Sequence, residues 1–481
     1  MKARQIAYII WTVIALLGAF CLVVPDGGWH IGTWHLRFPT LTQALDMDTK
    51  QGDELSMKND SLLADLETLG VLPSDSVVAE DSLAVQDSIP PKAQPVIPEV
   101  NVSNTDSRAY LAAFYAALDS VRTMPVRVVH YGDSQIEEDR ITNVLRERWQ
   151  KQYGGGGPGL LPLHQTVPTR TIRQWISING VVQTAQGGPK RYIVYGPKSM
   201  RLTDSDEYGV MGQVAVMDST LVAGSENIVM TIEPLDKKRQ GHNYFNRVRV
   251  LTDSVDGYIL AQDTMLSPTP DTRHPLLYTL PDSTTKCEIH LQGKGKVYGV
   301  SLETPTGVIV DNIPMRGCSG NIFTKIDSTQ LSDFYRETNT RLIILQFGGN
   351  MIPQTENAST ISGYVRSTLR QQVRYLRACA PDAAILFIGP SDMSTNIDGQ
   401  MTTYPLVPYM DKLLKKMAAE EQIAYWSMYD AMGGKDSMVR WVEVGLAGSD
   451  YVHFTRAGAN KMGRMLYEWL MTYPDLLNSK Q

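Results

Sequence analysis

Val126-Arg127-Val128-Val129-His130-Tyr131-Gly132-Asp133-Ser134-Gln135 is the stretch on which the reading of this chain turns. The β-branched run at Val126, Val128 and Val129 predicts a buried strand that ends at Gly132-Asp133-Ser134. Residues 136–150 carry a helix-like pattern, so a helix is expected to follow at once. A serine between a buried strand and a helix N-terminus is presented on a sharp turn, with backbone N–H groups free to face an anion. A nucleophilic serine needs that setting. The same residues could cap a helix and do nothing else. Gly-Asp-Ser is common, so partners further along the chain must decide.

Those partners come in order. Residues 307–313 read as a strand leading into Arg316-Gly317-Cys318-Ser319-Gly320. Residues 327–336 look helical, and 341–347 form an apolar strand ending at Gly348-Gly349-Asn350. A helix (361–380), a strand (383–389), a helix (404–420), a last strand (422–428) and a closing helix (455–470) follow. Strands alternating with helices imply a parallel sheet covered on both faces, whose sites gather at the C-terminal strand ends. Ser134, Gly317 and Asn350 follow three successive strands in the chain. Before the closing helix comes Gly448-Ser449-Asp450-Tyr451-Val452-His453-Phe454. Asp450 and His453 stand three apart, so one turn can hold the carboxylate against one imidazole nitrogen while the other faces Ser134. Taken singly, Asn350 is a plausible turn residue and Asp450 with His453 a plausible loop salt bridge. Four such blocks in this order are hard to assign to coincidence.

These blocks (GDSQ, the glycine at 317, GGN and DYVH) resemble those of the SGNH (GDSL-type) hydrolases. The resemblance covers residues 107–160 and 308–473, a little under half of the chain. It implies a flavodoxin-like three-layer α/β/α domain. It also implies Ser134 as nucleophile, Asp450 and His453 as its partners, and an oxyanion hole made by the Ser134 N–H, the Gly317 N–H and the Asn350 amide. Gly317 is preferred because Asn312 lies five residues before it, as in that block; Gly320 is the runner-up. Gln135 stands where many members have leucine, a departure expected to matter little. A long insert between the first two blocks resembles bacterial peptidoglycan O-acetylesterases, whose insert is a carbohydrate-binding-like β module. The implied activity is removal of O-acetyl groups from a cell-wall or surface polysaccharide through an acetyl-enzyme. Two alternatives remain: a polysaccharide O-acetyltransferase working with a membrane-bound O-acyltransferase, and a polysaccharide-binding protein whose α/β domain is inactive.

The insert itself, residues 163–305, is a series of short alternating runs separated by Gly, Pro, Asn and Asp, which predicts a β-sandwich or jelly roll. The hydrolase domain is then 107–162 plus 306–475. Because the α/β residues supply the chemistry, the insert is expected to add a wall to the substrate cleft. Trp175, Tyr192, Tyr195 and Tyr244 either line a sugar platform or fill the sandwich core. His130 lies within the first strand and is expected to pack there. His164, His242, His274 and His290 lack metal-ligand spacing, so no metal or other cofactor is expected.

The N-terminal part is of another kind. Residues 6–24 are an uncharged apolar run preceded by Lys2 and Arg4. That length spans a bilayer core, and the flanking charges leave the N-terminus in the cytoplasm. A retained anchor over residues 1–25, holding the bulk of the chain on the periplasmic face of the inner membrane, is the expectation; a cleaved signal peptide is the alternative. Residues 26–106 read as a mostly disordered linker. Residues 41–106 hold 13 acids and 3 lysines, a balance of −10, so the net −6 leaves +4 for the rest (−6 + 10). No basic block suits nucleic acid. Outside the apolar run the cysteines are Cys287, Cys318 and Cys379, an odd set that implies no disulfide framework.

Overall fold

The decisive run becomes strand β1, Pro125–Gly132, buried along nearly its whole length. It lies in a parallel sheet with β2 (Gly307–Pro314), β3 (Thr340–Gln346), β4 (Ala384–Ile388) and β5 (Ala424–Trp426), in the order β2-β1-β3-β4-β5. The computed structural model describes residues 29–31, 34–36, 97–101, 106–184, 187–217, 227–235, 243–270 and 275–478, with backbone only for the first two segments and beyond Tyr473. The apolar run 6–24 and most of the linker expectation lie outside the described residues, as do His242 and His274. Residues 29–31 and 34–36 form a small antiparallel hairpin. Among the described residues no helix is long and apolar enough to cross a membrane.

Near-continuous burial of β1 to β4 is what a sheet covered on both faces requires. Helices α1 (Thr142–Tyr153), α2 (Ser328–Glu337), α3 (Arg370–Cys379), α4 (Val407–Glu420) and α5 (Arg456–Asn478) supply the cover. On one face Val129 and Tyr131 of β1 meet Leu331 and Phe334 of α2, Val373 and Leu376 of α3, and Met410 and Leu414 of α4. Trp149 of α1 meets Phe114 and Tyr467 edge to face in a separate aromatic cluster. The helix containing α3 includes a π-helical turn, Tyr364–Leu369.

Residues 159–303 build two antiparallel six-stranded sheets. One runs from Leu276–Thr284 through Phe245–Thr252 and Gly295–Glu303 to Gln213–Met217 and Lys190–Ile193; the other centres on Asn227–Pro234 and Cys287–Gln292. Alternate residues point inward, so Ile228, Met230 and Ile232 face Val248, Val250, Val300 and Leu302 across a shared core. The sandwich begins before residue 163, because Gly159–Leu161 already pairs with Gly295–Glu303. None of Trp175, Tyr192, Tyr195 and Tyr244 belongs to this core, and they do not gather into one platform. Trp175 is half-buried between the inward Ile172 and Ile176, while Tyr192 and Tyr195 pack against the α/β core.

The sandwich and the α/β sheet are not separable beads. Both lie in one compact unit, Asp87–Gln481. Tyr208, Val210, Met211 and Tyr298 of the sandwich join the α/β core. A buried ion network crosses the boundary: Arg127 on β1 donates to both Asp311 oxygens on β2 at 2.8 Å, and to Ser301 and Glu303 of the sandwich.

Candidate active site

Strand β1 delivers the serine, but the expected helix does not follow at once. Residues Ser134–Asp139 form a 3-10 turn that kinks, and α1 starts only at Thr142. Glu138, Asp139 and Ile141 all have positive φ, near 60°. For a β-branched isoleucine this is a strained conformation. Periodicity predicted a continuous helix; Arg170 and Thr171 from the sandwich, with Arg146 of α1, hold the kink instead. Arg170 of the sandwich holds Glu138 at 2.8 Å and donates its backbone N–H to the Glu138 carbonyl. Arg146 and Thr171 hold Asp139. The insert thus grips the turn that presents Ser134.

Ser134, His453 and Asp450 meet at the C-terminal edge of the sheet, and Asn350 lines the same small cavity as Ser134. Ser134 Oγ lies 2.8 Å from His453 Nε2, and His453 Nδ1 lies 2.7 Å from Asp450 Oδ2. A carboxylate can only accept, so Nδ1 carries the proton and Nε2 accepts from the serine hydroxyl. Asp450 Oδ1 accepts the backbone N–H groups of Val452 and His453. Burial pushes the Asp450 carboxyl up, but the His453 ring and these N–H groups outweigh it and hold the carboxyl below its usual range.

Asn350 follows β3 in a turn entered through Gly348, at φ +118°. Its Nδ2 donates to the Cys318 carbonyl at 3.0 Å and approaches Asp133 Oδ2 at 3.4 Å. The second contact is long, so that hydrogen is weakly held. The two glycines differ in kind. A Cβ on Gly320 would fall 2.9 Å from Phe347, and the Gly320 N–H donates to Cys318 Sγ. A Cβ on Gly317 would meet nothing within 4 Å, and no hydrogen bond from its N–H is found among the described residues. Cys287, Cys318 and Cys379 are all buried free thiols.

His130 is fully buried within β1, bonded to Gln346 and Thr142. His290 stacks on Tyr258, and His164 is buried in a loop. Among the described residues no three His, Cys, Asp or Glu side chains gather as metal ligands would.

Two features were not foreseen. The carboxyl of Asp133, beside the nucleophile, is pushed up to about 6 by burial, against the opposing pull of the Gln135 N–H and of His453. Gln135, expected to matter little, reaches the His453 loop (below). The only sequence signal was an amide where leucine is usual.

Two cavities flank the serine turn. One, of about 70 Å³, contains Ser134 and Asn350 and has apolar walls from Phe347, Pro390, Met393, Met428 and Val452. The other, of about 420 Å³, lies between sandwich and turn, lined among others by Glu137, Arg191, Tyr195, Gln213 and Arg316.

A parallel α/β sheet with a serine, a histidine and an aspartate in hydrogen-bonded sequence at its C-terminal edge defines a serine hydrolase acting on esters. Residues 282–461 match the GDSL-like Lipase/Acylhydrolase family model. The match starts inside the sandwich and includes Gly317, Asn350, Asp450 and His453, whereas Ser134 lies before it, across the insert. The fold is similar to that of a solved structure described as a peptidoglycan O-acetylesterase in action, with a TM-score of 0.58 and 21% identity over 78% of this chain and 99% of that one. Partial likenesses extend to an acetyl xylan esterase (11% identity, 34% of this chain and 80% of that one, TM-score 0.25). Another is to the periplasmic domain of a lipopolysaccharide acetyltransferase from Salmonella ser. Paratyphi A (13%, 33% and 71%, 0.23). No curated protein matches the chain.

Proposed function

We propose that this protein is an exported esterase that removes O-acetyl groups from a cell-wall polysaccharide, peptidoglycan first among them, while held at the membrane by residues 6–24. The observation that carries the chemistry is the unbroken chain Ser134 Oγ–His453 Nε2 and His453 Nδ1–Asp450 Oδ2. Ser134 Oγ attacks the acetyl carbonyl as His453 takes its proton, and Asp450 stabilises the imidazolium. The oxyanion is met by the Ser134 and Gly317 N–H groups and by the weakly held hydrogen of Asn350, each worth about 10²–10³ in rate. His453 returns the proton to the departing sugar oxygen. Water, activated by the same imidazole, then hydrolyses the acetyl-enzyme.

The small apolar-walled cavity at Ser134 suits an acetyl group better than a fatty acyl chain. The wider cleft beside it offers hydroxyl-bonding side chains at Gln213, Arg191 and Tyr195, as a glycan flank needs. Gln213 is buried with its Oε1 unpartnered. The likeness to a structure described as a peptidoglycan O-acetylesterase supports peptidoglycan as the first substrate to try. The test is acetate release from O-acetylated peptidoglycan, set against other acetylated glycans and aryl esters of increasing chain length. The proposal expects the highest kcat/KM on the acetylated peptidoglycan and a steep loss beyond acetate among aryl esters. Acetyl groups passed to glycan rather than water would replace hydrolysis with transfer.

A further inference from the structure

Gln135 is buried at 6% exposure, directly after the nucleophile. It lines the small cavity that contains Ser134, and its amide reaches across to the loop that carries His453. Nε2 donates to the Val452 carbonyl at 2.6 Å and to Ser391 Oγ at 3.2 Å, while Oε1 accepts the Phe454 N–H at 3.4 Å. One amide therefore holds the backbone on both sides of His453. This loop needs holding. The His453 side chain is 37% exposed and that of Asp450 51%, and Tyr451 has positive φ. The remaining bonds in the segment are local: Gly448 N–H to His453 O, Tyr451 N–H to Gly448 O, and Asp450 to its own neighbours. Ser394 N–H to the Tyr451 carbonyl is one further tie from outside.

We infer that Gln135 is a positioning residue for His453, so that one turn both presents the nucleophile and fixes the place of its base. The inference rests on the proposed roles of Ser134 and His453. A leucine or methionine at 135 can fill the space but offers neither donor nor acceptor, leaving a buried carbonyl and a buried N–H without partners. The His453 loop then shifts, and a displacement of about 1 Å at a reacting group costs about 10²-fold in rate. The loss falls on kcat, since Gln135 acts through the histidine.

Gln135→Met keeps length and shape and removes both polar atoms. With aryl acetate as probe, the full chain carrying Gln135→Met should lose about 10- to 100-fold in kcat with KM within about twofold. The discriminating measurement is the cycle with His453→Ala. If Gln135 works through His453, adding Gln135→Met to His453→Ala should cost nothing further, because residues acting as a unit are non-additive. Gln135→Asn, which keeps donor and acceptor on a side chain one carbon shorter, should fall between wild type and Gln135→Met. A Gln135→Met enzyme with wild-type kcat, or losses that multiply in the double variant, overturns the inference. Should Gln135→Met melt well below wild type, Gln135→Asn and its own double variant carry the same cycle. A fully active His453→Ala enzyme would instead remove the proposed role of His453 itself.

Discussion

Arg127→Met should be among the most damaging single changes to stability, although it lies away from the serine. Arg127 is fully buried, and its guanidinium spans Asp311, Ser301 and Glu303 across the joint between sheet and sandwich. Methionine fills much of the volume but leaves two buried carboxylates. Of these, Glu303 keeps the Ser301 hydroxyl at 2.7 Å and a looser contact to Arg249 at 3.5 Å, and Asp311 keeps the Leu160 N–H at 2.8 Å, but neither keeps its close guanidinium partner. Breaking a buried pair by removing one partner costs about 3–5 kcal/mol, and two stranded acids put this case toward the upper end. Domains commonly have about 5–15 kcal/mol in total. Urea unfolding followed by tryptophan fluorescence should give one transition for wild type, since the network ties the two layers, and a midpoint lowered by that amount for the variant. Adding Asp311→Asn and Glu303→Gln to Arg127→Met should recover a good part of the loss, because no uncompensated charge then remains. A cost below about 1 kcal/mol, or separate transitions for sandwich and sheet, would refute the reasoning.

Acid should act through the same network: burial alone would raise the Glu303 carboxyl, but Arg127 and Arg249 outweigh it and hold it low. Its contribution is therefore present above the usual glutamate range and lost as pH falls through the depressed value, a loss that Glu303→Gln should not show. Asp133 has the opposite sign. Raised by burial from 3.8 to about 6, it binds its proton more tightly folded than unfolded. Stability should thus fall by at most roughly 3 kcal/mol as pH rises from about 4 to about 6, and the wild-type minus Asp133→Asn difference in urea midpoint isolates that slope. Asn350→Ala should lower kcat about 10²–10³-fold without preventing Ser134 labelling. Gln213→Leu should raise KM for polymeric substrate and spare aryl acetate, as loss of uniform binding does. Thermal melts should show Gly320→Ala destabilised more than Gly317→Ala, since a Cβ meets Phe347 only at the former.

Where the chain's information is local and repeated, the sequence was legible. The apolar runs at β1, β3 and β4 announced a buried parallel sheet, and the blocks after β1 and before α5 contained Ser134, Asp450 and His453, which the fold joins in one hydrogen-bonded chain. What escaped was set by distant partners. The kink at residues 137–141 looks helical in sequence, because Arg170 and Thr171, which hold it, lie beyond the glycine run that ends α1. Likewise Gln135 gains its role only when the loop around His453 arrives from more than three hundred residues away. The insert, expected to act as a wall, also shares the buried charges of β1 and braces the serine turn, so excising it would strand Arg127 and release Glu138. The four aromatics singled out in the insert stay out of the sandwich core because strand alternation and register, not composition, decide which side each one takes.

The central claim is tested most directly by labelling the full chain with a fluorophosphonate and mapping the adduct. One label per chain, on Ser134, with the labelling rate cut steeply in His453→Ala and abolished in Ser134→Ala, is the predicted result. Stoichiometric labelling of another serine, or ester hydrolysis that persists in Ser134→Ala, would contradict it.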